Sequence, residues 1–105
     1  MKLQKFLIAA AAAVAIASPA KAADYRLLMS WDQNYPSYKT IIQPFIKDIE
    51  DGTKGSVKFR VSGPETVPSF EQLEPTGSGV FHFLFTHGAY HFGTTPIATA
   101  IEAIQ

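Results

Sequence analysis

Aromatic and ionisable side chains that could contact a small polar molecule are concentrated in three short segments. Trp31–Tyr35, Gly63–Phe70 and Thr86–Phe92 each follow an apolar run of the length of a β-strand. Aromatic rings stack on flat ligands, while carboxylate and imidazole groups exchange hydrogen bonds with polar ones. We therefore predict one ligand site formed by these three segments and by Glu71, which directly follows the second segment. Its predicted residues are Trp31, Asp32, Tyr35, Glu71, His87 and Tyr90.

An enzymatic function is the alternative for the same side chains. Asp32, Glu71 and His87 could serve as acid or base in a small secreted enzyme, and Glu65 could pair with Asp32 or Glu71. Yet the chain has no cysteine nucleophile, no G-x-S-x-G turn and no glycine-rich phosphate-binding motif. We therefore predict a binding protein that is not an enzyme. A structural or partner-binding module is the third hypothesis.

Three histidines raise the hypothesis of a metal site. His87 and His91 are four residues apart, as in zinc sites that are built on a helix, and His82 precedes them. Gly88 and the residues around it favour a loop, which would not align the two rings. We therefore predict neither a metal ion nor a cofactor.

The elements that must position these residues alternate between strand and helix. Apolar and charged side chains alternate over residues 57–61, which is typical of a half-buried strand, and isoleucines recur at helical spacing before them. The order β-α-β-α-β-α predicts an α/β fold with a parallel or mixed sheet, in which the carboxyl ends of the strands place the three segments at one edge. The predicted strands are Tyr25–Ser30, Ser56–Ser62 and Val80–Phe85, and the predicted helices are Tyr38–Asp51, Phe70–Thr76 and Thr95–Ile104.

The finer features of these elements can also be predicted. The third strand is a dense apolar run, which is typical of a central strand covered on both faces. Ser37, Ser69 and either Thr94 or Thr95 are predicted N-caps of the three helices. Pro44 removes a helical hydrogen bond, so we expect a kink there or a helix that begins near it.

The first 22 residues have the composition of a Sec-type signal peptide. Residues 1–5 carry two lysines, residues 6–17 are apolar, and residues 20–22 read Ala-Lys-Ala, the pattern that signal peptidase recognises. The apolar run is about a dozen residues, well short of the roughly 20 that span a bilayer. We therefore predict export to the periplasm with cleavage between Ala22 and Ala23.

The mature domain, residues 23–105, would be mildly acidic. Loss of three lysines leaves six basic against nine acidic residues, a net charge of −3 without any basic cluster. This composition argues against nucleic acid as a partner. The chain has no cysteine, so no disulfide can support so small a domain. We therefore expect it to be the start of a larger domain or the product of a truncated gene.

Residues 24–105 resemble the DctP-type solute-binding proteins of TRAP transporters. The resemblance follows the signal peptide and is carried by YRLLMSWDQNYPSYKTIIQPFIKDIEDGTKGSVKFRVSGPETVPSFEQLEPTGSG. In order, this run contains a strand, an aromatic loop, a helix, a strand that ends on a glycine-bearing turn, and a helix that carries a glutamate. The turn, Gly63-Pro64-Glu65-Thr66, has less glycine than is usual in the family.

The resemblance implies the first part of a lobe of class II periplasmic-binding type. Such two-lobed proteins close on a small organic acid, a carboxylate or a sugar acid, and deliver it to the TRAP membrane permease. First-lobe contacts would come from Trp31–Tyr35, Glu71 and His87–Tyr90. The family's carboxylate-pairing arginine would lie beyond Gln105, and Arg26 and Arg60 lie in predicted strands. The resemblance therefore implies that residues 23–105 alone do not bind tightly.

Overall fold

The computed structural model describes residues 21–104, which form a three-stranded parallel sheet with helices. The strand order is β2-β1-β3, and both outer strands run parallel to β1. The α/β class is therefore confirmed, and of the two predicted sheet types the structure has the parallel one, whereas most of the predicted signal peptide lies outside the described residues. The elements are β1 (Ala23–Met29), α1 (Gln43–Gly52), β2 (Val57–Ser62), α2 (Leu73–Gly77), β3 (Phe83–Phe85) and α3 (Pro96–Glu102).

The central strand is β1 and not the third strand, so that prediction was wrong. β3 pairs with β1 over three residues only, from Leu27↔Phe83 to Met29↔Phe85, and Phe83 is 39% exposed. Before Phe83, the His82 amide still donates to the Arg26 carbonyl at 2.9 Å, but the Arg26 amide donates to the His82 ring and not to a backbone carbonyl. An apolar run of six residues reports burial but does not distinguish a central strand from an edge strand.

The core lies on β1, whose side chains alternate between the two faces of the sheet. Leu27 and Met29 point to one face and form a cluster with Ile42, and all three are almost fully buried. Leu28 and Ser30 point to the other face and are equally buried. Full burial of an aliphatic side chain contributes about 1.5–3 kcal/mol, so β1 is the main source of stability in the sheet.

The two crossover connections place helices on both faces of the sheet. The chain moves from β1 to β2 in one direction and then returns past β1 to β3. Right-handed crossovers in opposite directions put their helices on opposite faces. The contacts agree with this rule, since Ile46 of α1 packs against the face of Met29, whereas Gln72, just before α2, bonds to Ser30.

Pro44 lies in the first turn of α1, so the prediction of a helix start near Pro44 is confirmed. A π-helical turn, Tyr38–Ile42, precedes it, and the Gln43 amide bonds to the carbonyl of Tyr38. Proline has no N–H for the normal helical bond to the residue four positions earlier. The wider turn accommodates this loss and lets the chain enter α1 without a break.

Ser37 and Thr95 occupy the predicted N-cap positions, before the π-helical turn and before α3, but neither hydroxyl bonds to a helix amide. Ser69 is not an N-cap, because Pro68 holds that position before the 3₁₀ turn. The Ser69 hydroxyl donates to the carbonyl of Ser30 at 2.7 Å. A contact between segments thus takes the group that a local pattern assigns to a cap.

The second and third helices are shorter than predicted. A 3₁₀ turn, Ser69–Glu71, stands apart from α2, and α3 ends at Glu102. The apolar face of α3 is exposed, with Ile97 and Ile101 at 63% and 62%. None of the helices within residues 21–104 is long and apolar enough to cross a membrane.

Candidate functional site

The chain leaves the neighbouring strands β1 and β3 towards opposite faces of the sheet. After β1 it enters α1. After β3 it leads to α3, which lies beside α2, since Leu73 and Ala98 line the same cleft. In open parallel sheets a crevice forms at the carboxyl ends of two such strands, and ligands bind there.

An aromatic cluster occupies this crevice and joins all three predicted segments. Trp31 stacks on Tyr35 with ring centroids 5.3 Å apart and planes 11° from parallel. The Trp31 ring also contacts Phe85 at 5.6 Å and Tyr90 at 5.7 Å, and Tyr90 contacts Phe70 at 5.1 Å. We call these five residues the aromatic cluster. The structure therefore brings together the predicted Trp31, Tyr35 and Tyr90, and it adds two rings that were not predicted.

The outer rings of the aromatic cluster are accessible to a ligand. Phe70 is 73% exposed and Tyr35 is 46% exposed, while Trp31 and Tyr90 are half-buried between them. Half-buried aromatic side chains offer a rigid apolar surface together with a polar tip. The cluster can therefore stack on the ring or the apolar body of a small molecule.

The two predicted carboxylates differ in what they do. Asp32 accepts the Asn34 amide at 2.7 Å, which forms a local turn after β1. Glu71 is exposed and follows Phe70, and its carboxylate makes no hydrogen bond within the described residues. Glu71 is therefore available beside the aromatic cluster, whereas Asp32 shapes the loop.

His87 is tied to α3 and not to the predicted carboxylates. Its Nδ1 lies 3.0 Å from Glu102 and 3.2 Å from the amide of Ala89. One nitrogen cannot donate to the first and accept from the second, so these bonds are alternatives that depend on the proton. No hydrogen bond or ion pair within residues 21–104 links Asp32, Glu71 and His87 to one another.

The histidines do not gather around a common point. The segment Gly88–His91 is a 3₁₀ turn and not the loop that was predicted. His82 bonds to β1 and His91 is buried. Across the part of the chain that the structure describes, no group of three potential ligands is placed to hold a metal ion.

A buried hydrogen-bonded chain beneath the aromatic cluster was not predicted. Ser30, Gln72, Thr86 and His91 form it, and we call it the polar relay. The Ser30 hydroxyl donates to Gln72 Oε1 at 2.7 Å and lies 2.5 Å from the Thr86 hydroxyl, which lies 2.8 Å from His91 Nε2. The relay joins the ends of β1 and β3 to the entry of α2.

The direction of every hydrogen bond in the polar relay follows from the orientation of the Gln72 amide. The Gln72 amide nitrogen donates to the carbonyls of Met29 and Val67, which fixes the orientation of the amide. Its oxygen therefore faces Ser30 and accepts from the Ser30 hydroxyl. The Ser30 hydrogen is used on that oxygen, so Thr86 must donate to Ser30. Thr86 then has only an acceptor left for its other neighbour.

His91 must therefore donate from Nε2, and its Nδ1 is an unprotonated acceptor. The side chain is 4% exposed, and Nδ1 has no hydrogen-bond partner among the described residues. Burial lowers the pKa of His91 below its ordinary value, because the charged form is poorly solvated there. The polar relay requires a proton on Nε2, while burial and the lack of a partner for Nδ1 favour the neutral ring.

Two glycines allow the segments to approach each other closely. A Cβ on Gly63 would lie 3.2 Å from the carbonyl oxygen of Trp31, and one on Gly88 would lie 2.7 Å from the backbone of Ala98. The first contact brings the turn after β2 against the aromatic loop. The second seats α3 against the turn that carries Tyr90.

The charge of this edge is negative. The three segments, together with Glu71, carry the acidic residues Asp32, Glu65 and Glu71 but no lysine or arginine. Three of the cations form ion pairs elsewhere: Lys47 with Asp51, Lys58 with Glu50, and Arg60 with Asp24. Arg26 lies over the Phe81 ring.

Comparison of the chain with models of protein families, with curated proteins and with solved structures found no match.

Proposed function

We propose that residues 23–105 are the first-lobe portion of a periplasmic solute-binding protein of a TRAP-type secondary transporter. It captures a small organic acid, a carboxylate or a sugar acid, and delivers it to the membrane permease. The support is the residue pattern from Tyr25 to Gly79 together with a parallel α/β sheet whose segments converge at one edge.

The observation that carries the proposal is the convergence of rings from all three segments. Trp31 follows β1, Phe70 follows β2 and Tyr90 follows β3, and they form one continuous set of ring contacts. A set of turn-forming residues would not require these rings to meet. Such a surface suits capture without chemistry, since it needs only contact and closure around the ligand.

Export is the second part of the proposal. Ala22 directly precedes β1 and Ala23 is its first residue. The Ala23 amide donates to the carbonyl of Ser56 at 2.8 Å. Cleavage between the two residues turns that amide into an amino group, which can still donate to Ser56. An exported product whose intact mass does not correspond to a start at Ala23 would contradict this cleavage site.

The binding test compares two site variants with two matched controls in a full-length protein that includes the second lobe, which the proposal requires and residues 23–105 do not contain. Thermal unfolding is first followed with a dicarboxylate, a sugar acid and an aromatic acid to find a stabilising ligand. Trp31→Ala and Glu71→Ala are expected to reduce the shift in melting temperature that this ligand produces. Tyr25→Ala, on the amino-terminal half of β1, and Glu74→Ala, on the exposed side of α2, are expected to retain it.

Unchanged ligand shifts in both site variants would refute the site. Conversion of the stabilising compound into a product, abolished by Glu71→Gln or His87→Gln, would favour the enzymatic alternative instead. No stabilisation by any of the three acids, with normal folding, would count against a carboxylate ligand.

A further inference from the structure

Four residues of the aromatic cluster are each the immediate sequence neighbour of a residue in one buried hydrogen-bonded network. The network consists of the polar relay and Ser69, whose hydroxyl donates to the backbone of the relay. None of these polar residues touches solvent to a large extent. The adjacent pairs are Ser30 with Trp31, Ser69 with Phe70, Phe85 with Thr86, and Tyr90 with His91.

Ser30 is the centre of this network. Its amide, carbonyl and hydroxyl are all engaged, which fixes the backbone at the base of the Trp31 side chain. The Ser30 amide donates to the Phe85 carbonyl at 3.0 Å, and the Ser30 carbonyl accepts from Ser69 Oγ at 2.7 Å. The Ser30 hydroxyl donates to Gln72 Oε1 at 2.7 Å and accepts from Thr86 Oγ1 at 2.5 Å.

The opposite tautomer of His91 would disrupt the network. With the proton on Nδ1, His91 Nε2 would accept from Thr86, and Thr86 could no longer donate to Ser30. Two hydroxyl lone pairs would then face each other at 2.5 Å. A buried donor or acceptor without a partner is costly, so the network holds only when His91 donates from Nε2.

We infer that the polar relay positions the aromatic cluster for its ligand, with His91 as a positioning residue in its neutral, Nε2-protonated form. This inference rests on the proposed function for its biological meaning, since it deepens the account of the same site. Side chains that bind a ligand are held in place by a hydrogen-bonded layer behind them. Here that layer links all three segments, so it sets their spacing as a group.

The variant pair Thr86→Val and Thr86→Ser tests the inference in the full chain. Valine has the shape of threonine without the hydroxyl, and it leaves both Ser30 and His91 without their partner. Serine retains the hydroxyl. Trp31 is the chain's single tryptophan, so its fluorescence reports the aromatic cluster directly. Thr86→Val is expected to shift the emission to longer wavelength and raise quenching by acrylamide, and Thr86→Ser is expected to restore the wild-type values.

A second measurement keeps the test decisive where Thr86→Val does not fold. Nitrogen-15 NMR of the imidazoles in the unaltered chain at pH 7 is expected to show His91 neutral, with its proton on Nε2. A proton on Nδ1, or a charged ring, would overturn the inference. Wild-type emission and quenching in a folded Thr86→Val variant would overturn it as well.

These readouts need no ligand, so they separate the two proposals. Equal fluorescence of the folded Thr86→Val and Thr86→Ser variants rejects the positioning role and leaves the proposed ligand site untouched. Intact fluorescence and tautomer results, combined with no response to Trp31→Ala in the ligand assay, reject the proposed function and retain the relay as a structural device.

Discussion

His91 links the chemistry of one side chain to the stability of the whole sheet. An unperturbed histidine has a pKa of about 6.5, and burial lowers the pKa of His91 in the folded chain. Below that ordinary value the unfolded chain binds a proton that the folded chain resists. Stability is therefore expected to fall as the pH drops from 7 through the region below 6.5, and to stop falling from this cause below the folded pKa.

Comparison with His91→Gln isolates this effect. The glutamine amide can donate to Thr86 as Nε2 does, but it does not titrate. We expect the free energy of unfolding, from urea titrations at several pH values, to depend less steeply on pH between 7 and 5 in the variant. Equal slopes would show that His91 takes up a proton as readily in the folded as in the unfolded chain.

Acid also acts on carboxylates, but in a lower range. The Phe59 amide and then the Lys58 ammonium lower the pKa of Glu50 below its ordinary value. A lowered carboxyl pKa contributes stability that is present above the ordinary pKa of about 4.3 and is lost as the pH falls through the folded value. The Glu50 effect therefore lies below the pH window used for His91.

At the scale of elements, the contact between α3 and the turn that carries Tyr90 depends on Gly88. A Cβ there would lie 2.7 Å and 2.8 Å from the carbonyl carbon and oxygen of Ala98, and backbone atoms cannot move aside as a side chain end can. We expect Gly88→Ala to displace α3 and to destabilise the chain by about 1–3 kcal/mol, the usual cost of overpacking.

Gly93→Ala is the matched control, because nothing lies within 4 Å of a Cβ at that position. Urea unfolding gives the stability of both variants, and limited proteolysis reports on release of α3. Faster cleavage after residue 95 is expected in Gly88→Ala only. Equal stability of the two variants would mean that α3 adjusts to the added methyl group at no cost.

The sequence predicts the elements better than their terminal contacts. Alternation at Val57, Phe59 and Val61 and the position of Pro44 are local features, and both were read correctly. Ser37 and Thr95 lie at N-cap positions without a capping hydrogen bond, and Ser69 failed as a cap because its hydroxyl bonds to Ser30 across the fold. The polar relay was missed for the same reason: Ser30 and Thr86 look like turn formers until their strands lie side by side. Their position directly beside predicted site residues was the available signal.

At the scale of the whole molecule, the core is small and much apolar surface is exposed. Five hydrophobic residues are buried within the described chain, whereas Phe70, Ile97 and Ile101 are each more than 60% exposed. Phe70 belongs to the aromatic cluster and has a proposed role. The isoleucines of α3 form a separate apolar face, and single exposed apolar residues need no functional explanation, although a contiguous face does.

The distribution of charge over the molecule predicts weak binding of simple acids by residues 23–105 alone. The edge that carries the aromatic cluster presents Glu65 and Glu71, and the chain's arginines lie on the strands, with Arg60 paired to Asp24. Stacking alone leaves a ligand carboxylate without the charged donor that recognises it best. We expect a dicarboxylate at about 1 mM to leave the melting temperature unchanged, because ligand below its Kd adds almost no stability. A clear rise in melting temperature, removed by Trp31→Ala, would instead place the affinity in ring stacking and make the aromatic cluster sufficient by itself.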